Sequence, residues 1–192
     1  MIVTACIDPE DLELFNRQRD ALFPAERNYL SAHVTLFHHI PAAVRQAFIT
    51  YCADHTNEVP TLRARVDVPF SLGKGAAYPV ECQRLADLRA RLRRAFADHL
   101  TQQDDRPWNR PHITVQNKVT PEEAKRTVRK LKANFTPQEI RVLGLEFHRY
   151  DGGPWTLLER LRFSGDTNLS GTMRNTADDE SGTFVEKKEH DR

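Results

Sequence analysis

One order of elements occurs twice along this 192-residue chain, and a repeat of that kind leaves few folds open. Each copy reads as helix, strand, proline-opened helix, strand, glycine turn, strand. The first copy follows an apolar opening strand over residues 1–7. Its helix starts at Asp8-Pro9-Glu10, carries Leu12, Phe15, Arg19 and Leu22 along one side, and stops at Pro24. Alternation over residues 32–37 predicts a strand. Pro41 opens a second helix to about residue 55, with Val44, Ala47, Phe48, Tyr51 and Cys52 on one face. Residues 62–70 and 76–82 read as strands around Ser71-Leu72-Gly73-Lys74-Gly75.

The second copy begins with a long helix over residues 83–100, its buried stripe made by Leu85, Leu88, Leu92 and Phe96 with arginines elsewhere around it. After a loop, residues 112–115 read as a strand, and Thr120-Pro121-Glu122-Glu123 caps a helix to about residue 135. Residues 139–150 and 155–163 are then strands around Asp151-Gly152-Gly153-Pro154. The expected fold is α+β: a bilobal, pseudo-twofold duplication in which two antiparallel sheets flank a central cleft, with helices outside. Residues 1–164 make that single bilobal domain. Residues 165–192 have Phe184 as their only aromatic, cannot offset their own ordering entropy, and read as a flexible polar tail.

A short motif sits at matching points of the two copies. His33-Val34-Thr35-Leu36 and His112-Ile113-Thr114-Val115 are both His-x-Thr-apolar, 8 residues before Pro41 and 9 before Pro121. Side chains alternate faces along a strand, so each His and its Thr point one way while the apolar pair points into a core. A third occurrence, His99-Leu100-Thr101, ends a helix and has no such alternation. One copy is weak evidence. Two on apolar-alternating strands of a repeat are not explained by chance.

Composition narrows the chemistry. With 28 basic and 27 acidic residues the net charge is +1, which excludes a broad electrostatic grip on nucleic acid and leaves only local contact with a polyanion. Cys6, Cys52 and Cys82 are far apart without a C-x-x-C pair, so neither a zinc knuckle nor a disulfide framework is expected, and a reducing compartment is. Nothing reads as a signal peptide or an apolar run of the roughly 20 residues that span a bilayer. The expectation is a cytoplasmic monomer without membrane contact.

The sequences Ala32-His33-Val34-Thr35-Leu36-Phe37 and Arg110-Pro111-His112-Ile113-Thr114-Val115 resemble the paired signatures of the 2H phosphoesterases, the superfamily of the 2′-5′ RNA ligase and 2′,3′-cyclic phosphodiesterase proteins. That resemblance implies a cleft between two lobes, no metal and no other cofactor. Its implied substrates are RNA ends or small cyclic nucleotides, their phosphodiester hydrolysed or reversibly ligated. It gives His33 and His112 the acid and base roles, and gives Thr35 and Thr114 the phosphate oxygens. The residue types suit the task, because imidazole with an ordinary pKa near 6.5 can donate or accept a proton at neutral pH.

Weaker candidates surround the motifs. Lys118 shares strand parity with His112 if the strand extends that far, Arg110 precedes the Pro-His pair, and Tyr78 offers a ring for stacking on a base. For each of these the blander reading, a solvated or core residue, carries more weight. Two other function classes stay open: a nucleotide- or RNA-binding module without turnover, and a metallohydrolase built on His33, His38 and His39.

Overall fold

The computed structural model describes residues 1–165, so the expected tail lies outside the described residues apart from Gly165. The first half contains β1 (Ile2–Ile7), α1 (Pro9–Leu22), β2 (Thr35–Phe37), α2 (Arg45–Thr56), β3 (Leu62–Val66) and β4 (Phe70–Ser71). The second contains β5 (Ala76–Glu81), α3 (Gln83–Ala95), β6 (His112–Gln116), α4 (Pro121–Ala133), β7 (Gln138–Arg149) and β8 (Thr156–Arg162). Two helices start as their sequences dictate. Pro9 follows Asp8, whose carboxylate accepts the Glu10 N–H, and Pro121 follows Thr120, whose hydroxyl accepts the Glu123 N–H.

All strand pairs are antiparallel, and they run β2-β1-β7-β3-β5-β6, with β8 added to β7 and β4 to β5. The order is palindromic in the repeat: each motif strand lies beside the first strand of its own half, which in turn pairs the third strand of the other half. The central β7–β3 ladder joins Leu62 to Val142 and Val66 to Gln138. The two lobes thus share one hydrogen-bonded path of strands instead of forming two separate sheets. Gly144 makes the shape of β7 possible, since a Cβ there would stand 2.0 Å from the Leu161 carbonyl oxygen. One apolar core runs through both lobes, from Val3, Phe15 and Phe37 to Tyr78, Ile113 and Phe147.

Several expected boundaries shift for local reasons. β2 is confined to Thr35–Phe37, so His33 stands just before the strand. There Asn16 Oδ1 takes the Ala32 N–H and the Ala5 N–H donates to the Val34 carbonyl, which keeps the segment extended outside a regular ladder. The expected strand over residues 62–70 divides into β3 and β4. Pro69 offers no N–H, and the Asp67 carboxylate captures the Val68 N–H. Pro41 opens a 3-10 turn, Ala42–Val44, ahead of α2, and Ala47 faces outward while Ile49 and Thr56 are buried. The helix expected to reach residue 100 stops at Ala95, and one of its arginines, Arg89, is buried.

Candidate active site

His33 and Thr35 on one lobe and His112 and Thr114 on the other line a single cavity of about 290 Å³, together with Trp108, Arg110 and Trp155. The alternation expected of each motif is present: Val34, Leu36, Ile113 and Val115 are buried, while the His and Thr of each motif are half-buried and face the cavity. Among the described residues no helix is long and apolar enough to cross a membrane.

The two imidazoles are held in the same way. His33 Nδ1 lies 2.7 Å from the carbonyl oxygen of Ser31, and His112 Nδ1 lies 2.8 Å from that of Arg110, in both cases two residues upstream. A carbonyl can only accept, so Nδ1 carries the proton in both rings and Nε2 is left for chemistry. The surroundings differ. His33 packs against Trp155 with ring centres 4.7 Å apart, whereas His112 meets Phe70 edge-on at 5.8 Å. Burial pulls the pKa of His33 down to about 4, partly opposed by the Ser31 carbonyl and assisted by the positive charge of Arg19 and by His148 and His112.

Two buried arginines brace the motifs from the opposite half, and sequence reasoning missed both as site elements. From α1, Arg19 donates to the Thr114 carbonyl at 2.7 Å, the Leu30 carbonyl at 3.0 Å and Asn28 Oδ1 at 3.1 Å. From α3, Arg89 donates to the carbonyls of Leu36, Asp104 and Arg106 at 3.0, 2.7 and 3.1 Å. Trp108 adds an indole N–H to the Thr35 carbonyl at 3.1 Å. The signal was a lone arginine on an apolar helix stripe; for Arg19 the position was visible, but nothing local names its acceptors.

Other candidates are placed as follows. Arg110 lines the cavity and stacks its guanidinium over Phe70 at 4.7 Å. Tyr78 is buried between Phe15 and Phe135 and is a core residue, not a stacking surface. β6 ends at Gln116, and Lys118 adopts φ 64°, so the strand parity that would align it with His112 is broken. His38 and His39 give their backbone N–H groups to the two oxygens of the buried Asp104, and His38 Nδ1 lies 3.1 Å from it. Burial opposes the Asp104 charge, yet these hydrogen bonds outweigh it and hold the carboxyl below its ordinary pKa. No group of three or more His, Cys, Asp or Glu side chains among the described residues is arranged to hold a metal ion.

This fold, with its duplicated His-x-Thr cleft, has relatives. The sequence profile of the 2′-5′ RNA ligase superfamily matches residues 7–154, and the chain belongs to that family. Among solved structures it is similar to TT0787 of Thermus thermophilus, at 16% identity and TM-score 0.58, over 86% of this chain and 100% of that one. It is similar to E. coli LigT complexed with 3′-AMP, at 18% identity and TM-score 0.58, over 85% of this chain and 97% of that one. A protein described as a phosphoesterase matches at 20% identity and TM-score 0.56, over 85% and 97%. At such identities these structures share the fold. Comparison with curated proteins gives no match.

Proposed function

We propose that the protein is a metal-independent phosphoesterase that hydrolyses, or reversibly ligates, 2′,3′-cyclic or 2′-5′ phosphodiester bonds in RNA or small nucleotides. The observation that carries this reading is the matched pair of imidazoles, each with Nδ1 tied to a carbonyl and each lining one cavity with a threonine hydroxyl. Opening a cyclic phosphate requires one proton taken from water and one given to the departing ribose oxygen, on opposite sides of phosphorus. Two Nε2 atoms from opposite lobes meet that need. Burial keeps His33 neutral at pH 7, which suits its bare Nε2 to accept the proton of the attacking water; His112 acts in its doubly protonated form and gives the Nε2 proton to the leaving oxygen, and in ligation the roles exchange. Thr35 and Thr114 donate to the non-bridging oxygens, where charge accumulates.

The test is turnover of purified protein on 2′,3′-cyclic nucleotides, 2′-5′ dinucleotides and cyclic-phosphate-ended RNA. Activity is expected to survive EDTA and to be lost in His33→Ala and in His112→Ala. Loss of activity to EDTA, or a single variant that keeps full rate, removes the two-histidine mechanism. Tight nucleotide binding without product would make the chain a binding module.

A further inference from the structure

The cavity that holds the two motifs does not end at its own walls. A neighbouring cavity of about 500 Å³ shares Ile2, His33, His38, Thr114 and Trp155 with it and continues outward past Tyr29, Tyr150 and Arg27. Both tyrosines are largely solvent-exposed, 60% and 58%, an unusual state for rings that line a channel from a site. Beyond them an open hollow of about 800 Å³ shares Phe23 and Arg27 with the channel and adds Lys74 and Lys118.

These cations are brought together by the backbone. The Val119 N–H donates to the Lys74 carbonyl at 3.2 Å, which fastens the β4–β5 turn to the loop after β6 and sets Lys74 beside Lys118. Arg27, Lys74 and Lys118 are all exposed, and none forms a salt bridge with a described residue. One carboxylate, Glu123, lines the same hollow. In a chain of net charge +1, three unpaired cations in one hollow continuous with the cleft are a local feature, not a by-product of a basic protein.

We propose that Arg27, Lys74 and Lys118 form a second phosphate-binding subsite, which takes the backbone of a single-stranded RNA whose 3′ end occupies the catalytic cavity. The inference rests on the phosphoesterase reading and adds to it a preferred substrate length. A 2′,3′-cyclic phosphate stands at the 3′ end of its strand, so the rest of the RNA must leave the cavity in one direction and present a base and a phosphate at each step. The exposed faces of Tyr29 and Tyr150 suit unstacked bases, and the three cations beyond them suit the phosphates.

The experiment compares a 2′,3′-cyclic mononucleotide with a cyclic-phosphate-ended tetranucleotide, using wild-type protein and the double variant Lys74→Glu/Lys118→Glu. The wild type is expected to favour the tetranucleotide by about 20-fold or more in kcat/KM at low salt. Three phosphate contacts would weaken that advantage by roughly 20-fold between 50 and 200 mM salt, since each contact contributes about 0.7 to the logarithmic slope for single strands. In the double variant the tetranucleotide should lose its advantage while mononucleotide turnover is unchanged. Equal kcat/KM for the two substrates, or a variant that keeps the full preference, overturns the subsite. Absence of turnover on both would instead defeat the phosphoesterase reading. The subsite would then be decided by fluorescence anisotropy of a non-cyclic tetranucleotide, whose salt-sensitive binding must weaken in the double variant for the subsite to stand.

Discussion

In the first lobe His33 packs against Trp155, while in the second His112 meets Phe70 edge-on, with the Arg110 guanidinium over the Phe70 ring. The main-chain geometry of the two is nevertheless the same: an Nδ1 contact to the carbonyl two residues back, and an arginine from the other half donating to a motif carbonyl. What differs is the aromatic lining and the bracing. Arg89 directs all three of its contacts to main-chain carbonyls and has Trp108 beside it, whereas one acceptor of Arg19 is the Asn28 side chain. Duplicated backbone geometry aims two imidazoles alike, and burial at one of them then pulls the proton affinity of His33 down. An acid and a base can arise from one motif in this way.

The largest effect that would break this comparison lies at the imidazoles. His33→Ala and His112→Ala should each lower kcat by about 10²–10⁴-fold, and the double variant should cost little more than either, because the pair acts as a unit. Additive losses, measured on the same cyclic phosphate, would mean two independent contributions. Next comes Arg89→Met, which leaves three carbonyls without their donor and should destabilise the fold by about 3–5 kcal/mol, read from urea unfolding midpoints. Arg19→Met should cost about 2–3 kcal/mol, since Asn28 can turn to solvent. If Arg19 proves the more important of the two for stability, the asymmetry in bracing is wrongly drawn.

A smaller effect concerns the proton affinity of His33. NMR titration should place His33 at about 4, and Trp155→Ala, by admitting water, should raise it toward 6.5. Arg19→Met should move it in the same direction by removing a positive charge, a response that a purely structural brace would not produce. The sign for stability follows from linkage. The unfolded imidazole binds its proton near pH 6.5 and the folded one only near 4, so the contribution of His33 is fully present above 6.5 and is lost as pH falls to 4. His33→Gln should therefore flatten that part of the stability profile; a wild-type profile with the same slope as the variant would contradict a buried neutral ring.

The proximity of the site residues was legible in sequence because it depends on periodicity. Strand alternation and the matching positions of the repeat are local properties, and they put His33, Thr35, His112 and Thr114 around one opening. The path of strands was less legible. Nothing local says that β7 pairs β3, nor that residues 62–70 break at Pro69 once Asp67 captures the next N–H. Least legible were long-range polar contacts. Arg89 looked like one more arginine of an amphipathic helix, Trp108 lay in a loop, and Trp155 was read as the first residue of a strand that begins only at Thr156, so spacing told nothing of what either ring would meet. For Tyr78 the weightier core reading holds, although a ring on a strand beside a glycine turn looks the same in sequence whether it faces solvent or Phe15.

The exchanged third strands, β3 and β7, carry a consequence for how such a molecule could have arisen. β3 pairs only with strands of the second half, and β7 reaches β1 of the first. The first half standing alone would keep the β1–β2 ribbon and an unpaired β3, with bare edges open to any neighbour. Its simplest remedy is another copy of itself related by a twofold axis, each lending its third strand. Gene fusion of such a symmetric pair would yield this topology at once, and would free the two copies of the motif to specialise.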